Sequence, residues 1–291
     1  MTYSRGPAPA GALLSEGTAL LEASGVSEAG LNCGWLLARV LGRDRLSLLA
    51  DSGLMATARE VGEFKKLLAR KASGVPLAYI IGSQPFCGLS LKVDARVLVP
   101  RPETEELVGL VSDFLERLAK RGAPRRRALD FGTGSGAIAL AISYRFPEVA
   151  VTAADRSREA LSCAGENARS LRLNDRIKFV RASSVENCGG PFDVLVSNPP
   201  YIPTGVIPGL DREVRAEPRL ALDGGADGLA VASRIIERGP EALKRGGALF
   251  MEIGDVQASA VLGMLDRKVW KDGDVARDLN GKRRFLRAIR R

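Results

Sequence analysis

The chain has 291 residues, 45% hydrophobic and 26% charged, with 43 Lys and Arg against 34 Asp and Glu, a net charge of +9 and no histidine. These proportions suit a globular protein of one large domain, or a large domain plus a small one. No apolar stretch is long enough to span a membrane, and residues 1–17 lack a signal-peptide pattern, so a cytoplasmic protein is expected. The absence of histidine excludes histidine-based acid–base or nucleophilic catalysis. Four scattered cysteines, Cys33, Cys87, Cys163 and Cys188, form no Cys-x-x-Cys pair and argue against a structural metal site.

Residues 1–75 read as a small helical domain. Leu13, Leu14, Ala19, Leu20 and Leu21 recur at helical spacing up to Gly25, and Leu31, Trp35, Leu36, Ala38, Val40 and Leu41 form a second apolar face ended by Gly42. A third helix is predicted over about 57–72, with Val61, Phe64, Leu67 and Leu68 on one side, before Gly74-Val75-Pro76 breaks the pattern. Residues 76–100 change period and predict a β-hairpin connector: strands at Tyr79 to Gly82 and Phe86 to Val93, a turn at Ser83-Gln84-Pro85, and extended chain at Val97 to Val99. Pro100-Arg101-Pro102-Glu103-Thr104-Glu105-Glu106 then opens a helix running through Leu118, its acids favoured by the helix dipole.

Over 101–291 strands and helices alternate. Strands are predicted near 127–130, 149–154, 177–180, 192–196, 247–253, 269–275 and 284–289, with helices at Ala137 to Arg145, Ser157 to Leu171 and Gly228 to Ala242. Such alternation implies a mostly parallel sheet with helices on both faces. The last two strands are joined through Asn280-Gly281, which suits an antiparallel edge hairpin. The segment Ile202 to Gly228, rich in Gly and Pro, reads as a substrate-gating or substrate-binding loop.

Two strand ends carry the chemistry. Asp130-Phe131-Gly132-Thr133-Gly134-Ser135-Gly136 joins a strand to a helix, and glycines there let the backbone turn tightly and approach a ligand. The next strand ends in Asp155, 19 residues after Gly136, where a carboxylate can accept both hydroxyls of a ribose. Alone, this layout fits a dinucleotide as well as S-adenosylmethionine, or a mere tight corner. The second element is Asn198-Pro199-Pro200-Tyr201, at the end of the apolar run Phe192 to Val196. The Asn side-chain carbonyl and the Pro199 carbonyl can both accept from one planar NH₂ group, proline holds them rigidly, and Tyr201 can lie against the plane. A nitrogen so held is oriented to attack a methyl group, which selects S-adenosylmethionine for the glycine turn.

With these motifs the chain resembles the HemK-type protein-(glutamine-N5) methyltransferases of peptide chain release factors. The resemblance rests on Val99 to Glu105, Asp130 to Gly136, Val196 to Ile202, Glu213 to Pro218, Asp227 to Leu229, Glu252 to Gly254, and Asp278 to Gly281 with Arg284. It implies an α/β protein with a Rossmann-like S-adenosylmethionine-dependent methyltransferase sheet and a small N-terminal helical domain that helps hold the substrate. The substrate it implies is the glutamine of the Gly-Gly-Gln motif in class 1 release factors. Cofactor contacts carry over to Gly132, Thr133, Gly134, Ser135, Gly136 and Asp155, with Ser183 and Asn198 added. Substrate contacts carry over to Asn198, Pro199, Pro200 and Tyr201, of which Asn198, Pro199 and Tyr201 are the expected catalytic set. One departure stands out: Ala182 and Ser183 occupy the places where this family usually puts an acid and an aromatic near the adenine. Glu252, Glu103 and Arg101 are each either site-shaping or simply charges at an element end.

Residues 267–291 hold ten Lys or Arg and three Asp. This basic end suits proximity to the ribosome or RNA, or merely a solubilised last strand, since only Trp270 and Phe285 could stack there. A monomer is expected. The nearest rival reading is a nucleic-acid amino-methyltransferase gripping a flipped base, adenine N6 or guanine N2, with the same Asn-Pro-Pro-Tyr. A non-catalytic cofactor-binding scaffold and an NAD-dependent enzyme are disfavoured, the first by the intact tetrapeptide and the second by the missing hydride-transfer residues.

Overall fold

The computed structural model describes residues 6–122 and 125–291, so residues 1–5 of the expected helical domain lie outside the described residues. Contacts divide the chain into two compact units, Met1–Gly82 with Asp211–Ala216, and Ser83–Leu210 with Glu217–Arg291.

The first unit contains β1 (Ala8–Pro9), α1 (Ala10–Ala23), α2 (Ala29–Leu41), α3 (Arg45–Ala50), β2 (Met55–Ala56), α4 (Ala58–Ala72) and α5 (Leu77–Ile81). Leu13 and Leu21 of α1, Leu36 and Leu37 of α2, and Phe64 and Leu68 of α4 meet in one buried core. Helix α4 starts where it does because Thr57 and Glu60 form a capping box: the Glu60 amide donates to Thr57 Oγ1 at 3.3 Å and the Thr57 amide to Glu60 Oε2 at 2.7 Å. Lys71, 1% exposed on the same helix, is ion-paired with Glu213, so the short segment 211–216 is held within this unit.

Two local expectations need correction. Tyr79 to Gly82 is the end of a short helix, α5, not a strand. Its β-branched residues are overruled because Pro76 opens the turn, Gly82 closes it at φ 85°, and Ile80 is buried in the helical core. The hairpin turn is not at Ser83-Gln84-Pro85. Those residues lie within β3 (Ser83–Phe86), which pairs with β4 (Leu89–Lys92), and the turn is Cys87-Gly88 with φ 48° and 77°. Two consecutive positive φ values match the twist of a two-residue hairpin, so the chain turns where both can be adopted. Residues 97–99 belong to no strand.

The second unit continues with α6 (Pro102–Lys120), β5 (Arg127–Phe131), α7 (Ala137–Arg145), β6 (Ala150–Asp155), α8 (Arg158–Ser170), β7 (Ile177–Arg181) and β8 (Phe192–Ser197). After β8 come α9 (Arg212–Arg215, in the first unit), α10 (Arg219–Leu222), α11 (Ala230–Ala242), β9 (Leu243–Glu252), α12 (Ala258–Gly263), β10 (Trp270–Arg277) and β11 (Arg283–Arg290). Seven strands form one sheet in the order β10-β11-β9-β8-β5-β6-β7. Strands β5 to β9 run parallel, and β11 and β10 close one edge as the expected antiparallel hairpin. All six residues of β8 are buried, as a central parallel strand requires. Its side chains alternate between two cores: Val194 and Val196 pack with α6 and α7, while Leu195 packs with α11 and α12. No helix among the described residues is long and apolar enough to cross a membrane.

Strand order places the site. The chain leaves β5 to build β6 and β7 on one side, then returns to build β8 on the other, so the order reverses between β5 and β8. In open α/β sheets the crevice at the carboxyl ends of such a pair is where ligands bind. The register sets Asp130 opposite Val196, which brings the glycine turn and the Asn-Pro-Pro-Tyr segment to the same edge.

Candidate active site

A cleft of about 580 Å³ opens at that edge, a size suited to a nucleoside cofactor with part of a second ligand. Its wall includes Gly132, Thr133, Gly134, Ser135, Asp155 and Asn198.

The glycine turn is built by backbone bonds. The amides of Gly132 and Thr133 both donate to the Ala154 carbonyl, at 2.8 and 2.9 Å, and Gly132 and Gly134 adopt φ 78° and 55°. Asp130 braces the turn from below: its Oδ2 accepts from Thr133 Oγ1 at 2.6 Å and from the Ala139 amide at 3.0 Å. Complete burial pushes the Asp130 carboxyl up to about 7, against the pull of those two bonds, and its other oxygen has no partner among the described residues. Thr133 thus serves the cleft through its backbone while its hydroxyl points into the support. Gly136 is absent from the cleft wall. It opens α7 at φ 84°, where a Cβ would come within 3.1 Å of Ala164, so its smallness lets α7 pack on α8. Asn167 ties the same region together, donating to the carbonyls of Ser135 and Lys92 at 2.9 and 3.0 Å.

Asp155 ends β6 on the cleft wall. Its Oδ2 accepts from the Gly134 amide at 3.0 Å and its Oδ1 from the Ser157 amide at 2.9 Å. Each oxygen keeps a further lone pair for a ligand hydroxyl. Burial raises the Asp155 carboxyl, and the backbone bonds oppose that rise. Ala182 and Ser183 both border the cleft, the first buried and the second exposed.

Asn198, Pro199 and Pro200 lie on the same wall, whereas Tyr201 does not. Asn198 Nδ2 donates to Thr104 Oγ1 at 3.0 Å, and Thr104 Oγ1 donates to Glu252 Oε2 at 2.8 Å. Glu252, the last residue of β9, is 1% exposed. Burial pushes its carboxyl up to about 7, opposed by the Thr104 bond and the charge of Arg284. The Tyr201 phenol faces the same carboxylate, and its burial pushes the phenol up to about 12.

The chain after Tyr201 is ordered by close backbone packing. Ile202 bridges to Asp223, and Gln257 Nε2 donates to the carbonyls of Tyr201 and Gly228 at 2.9 and 3.1 Å. A Cβ on Gly228, at φ 79°, would sit 2.3 Å from the Tyr201 carbonyl oxygen. Gly228→Ala is therefore expected to destabilise the protein by about 2–4 kcal/mol, combining left-handed strain with overpacking. Thermal unfolding checks this; an unchanged Tm would mean these backbones can separate freely.

Sequence motifs far apart also meet. Arg101 is ion-paired with Glu217, whose other oxygen accepts from the Val99 amide at 3.0 Å. The Pro-Arg-Pro-Glu and Glu-Pro segments are thus two halves of one clip, anchored on the buried Glu217. Asp278 accepts from the Asn280 and Lys282 amides and from Arg284, whose Nη1 donates to the Ile253 carbonyl at 3.2 Å, so the Asp-Leu-Asn-Gly turn fixes the end of β9. Sequence reasoning passed over Asn167, Gln257 and the partnership of Thr104 with Asn198. None of these carried a local signal; the nearest one was the cluster Gly224-Gly225 and Gly228 after the tetrapeptide, where a Cβ would meet a neighbour within 2.8 Å. Burial pushes all four cysteine thiols up to about 11, leaving them unreactive.

Known proteins extend this picture. Residues 12–82 match the family described as PrmC N-terminal domain, and residues 111–206 match the Methyltransferase small domain. The release factor glutamine methyltransferase of Deinococcus radiodurans is 41% identical over 283 residues, 96% of this chain and 97% of that protein. The enzyme of the same name from Geobacter sulfurreducens is 40% identical over 90% of this chain and 89% of its own length. Among solved structures, the hMettl16 catalytic domain superposes with a TM-score of 0.56 over 82% of this chain and 84% of its own, at 15% identity, which speaks to the methyltransferase fold alone. With 41% identity across almost its full length, the chain belongs to the release factor glutamine methyltransferase family.

Proposed function

We infer that this protein transfers a methyl group from S-adenosylmethionine to the side-chain amide nitrogen of the glutamine in the Gly-Gly-Gln motif of class 1 peptide chain release factors. The observation that carries the reading is that Asn198 and Pro199 share one cleft wall with the glycine turn and Asp155. A carboxamide acceptor and a nucleoside cradle then open on one space.

The residues present fit the cofactor. Gly132 to Ser135 line the cleft with a turn whose two glycines add no side chain to it, Asp155 retains lone pairs for two ribose hydroxyls, and the small residues Ala182 and Ser183 border the same space. Bound S-adenosylmethionine supplies an electrophilic methyl group on a sulfonium. The protein's task is the glutamine nitrogen, whose lone pair is delocalised into its own carbonyl. Asn198 Oδ1 and the Pro199 carbonyl accept its two N–H bonds, hold the nitrogen in line for attack and stabilise the positive charge that grows on it. Pro200 and Tyr201 keep that pair of acceptors from shifting.

The helical segment 1–75 helps hold the release factor, residues 76–100 connect it, and residues 101–291 carry the chemistry. The basic end, with Arg283, Arg290 and Arg291, suits work close to the ribosome or RNA in the cytoplasm, and the enzyme acts as a monomer. The test is mass spectrometry of purified release factor, ribosomal RNA and DNA after incubation with the enzyme and labelled cofactor. One added methyl on the Gly-Gly-Gln peptide is expected, and label on nucleic acid alone would overturn the assignment in favour of a base methyltransferase.

A further inference from the structure

We propose that Thr104 and Glu252 are positioning residues that set the polarity of the Asn198 amide, so that its carbonyl and not its NH₂ faces the substrate's carboxamide. The inference rests on the glutamine-methylating reading above.

An asparagine side chain presents two ends of nearly the same shape and opposite hydrogen-bonding character. A clamp for a substrate NH₂ works in one orientation only, because an NH₂ facing another NH₂ offers no acceptor. Something must therefore choose. Strand register supplies the neighbours: Ser197 of β8 lies opposite Met251 of β9, so Asn198 and Glu252 follow side by side. Thr104, in the first turn of α6, comes between them, with Asn198 Nδ2 at 3.0 Å and Glu252 Oε2 at 2.8 Å from its hydroxyl oxygen.

A hydroxyl has one proton, and an ionised carboxylate only accepts. With Glu252 ionised, the Thr104 proton is committed to it, and the Thr104 oxygen can only accept from Asn198. A reversed amide would set its carbonyl oxygen against that lone pair. Thr104 and Glu252 are 4% and 1% exposed, and mismatched polar groups at such buried positions are costly. The groups facing Glu252 are Glu103 and Thr104 of α6, Tyr201, and Arg284 of β11, the last itself paired with Asp278; Arg101 faces Tyr201. Burial places the Glu252 carboxyl at about 7, so it gains a proton as pH falls through neutrality. The protonated acid can donate to Thr104, which frees the hydroxyl proton for Asn198 Oδ1 and lets the amide turn over.

Three variants, Thr104→Val, Thr104→Ser and Glu252→Gln, test this against the wild type. The readouts are release-factor methylation kinetics from about pH 5.5 to 9, S-adenosylhomocysteine affinity, and NMR exchange protection of the Asn198 side-chain NH₂. Thr104→Val should lower kcat roughly tenfold or more while KM and cofactor affinity stay within about twofold. Thr104→Ser should recover most of that loss. Wild-type kcat should fall as pH drops through about 7, whereas Glu252→Gln, whose own NH₂ can donate to Thr104, should be slow and flat across the range. Asn198 NH₂ protection should survive in Thr104→Ser and vanish in Thr104→Val. Wild-type kcat in Thr104→Val, or an unaltered pH profile in Glu252→Gln, would overturn the proposal. If Thr104→Val fails to fold, as a thermal melt would show, the near-isosteric Glu252→Gln decides alone. If the wild type methylates no glutamine, the function assignment falls, and NMR protection still reports whether Thr104 orients Asn198.

Discussion

Replacing Asn198 by alanine is expected to lower kcat for release-factor methylation roughly 10²-fold or more, with little change in cofactor affinity. The physical reason is that its carbonyl contributes most where the substrate nitrogen gains positive charge, in the transition state. The Asn198 side chain is held on one side by Thr104, so its truncation removes a preorganised acceptor that a mobile water cannot reproduce. Single-turnover kinetics at saturating cofactor separates this from a binding defect. A variant with normal kcat would remove Asn198 from the catalytic role and leave Pro199 to carry it.

Asp155→Ala should act on the other ligand. Two hydrogen bonds to an ionised carboxylate, each contributing about 1.5 kcal/mol, correspond to an affinity loss of about 10²-fold. Titration calorimetry with S-adenosylhomocysteine reads this directly, and kcat at saturating cofactor should fall far less than Kd rises. The variant also takes an acceptor from the amides of Gly134 and Ser157, so a parallel thermal melt is needed to show that the turn persists. An unchanged Kd would mean that the ribose is held elsewhere. Together the two substitutions should split cleanly, Asn198 on turnover and Asp155 on affinity.

Much of this site was legible before folding. Gly132, Gly134 and Gly136 announce a strand-to-helix turn because few other residues adopt positive φ. Asp155 announces itself by closing the next apolar run, and Asn198 to Tyr201 by following the largely apolar run Phe192 to Val196. Less legible was the division of labour inside the turn. Gly136 shares the spacing of Gly132 and Gly134 but serves helix packing, and Thr133 directs its hydroxyl to Asp130, distinctions that depend on where α8 and β5 lie. The strand expected at Tyr79 to Gly82 failed for a related reason. Five apolar residues carry no period long enough to distinguish strand from helix, and the core beneath Ile80 made the choice.

Alternating periods of two and 3.6 residues, punctuated by glycine and proline, were by themselves sufficient for a helical segment followed by a parallel sheet, and for naming the two strand ends that bear the chemistry. Only the tertiary structure decided who supports them. Thr104 meets Asn198 across 94 residues and Glu252 across 148, and Arg101 meets Glu217 across 116. Strand order and register bring those side chains together in space, and a local period carries no information about either.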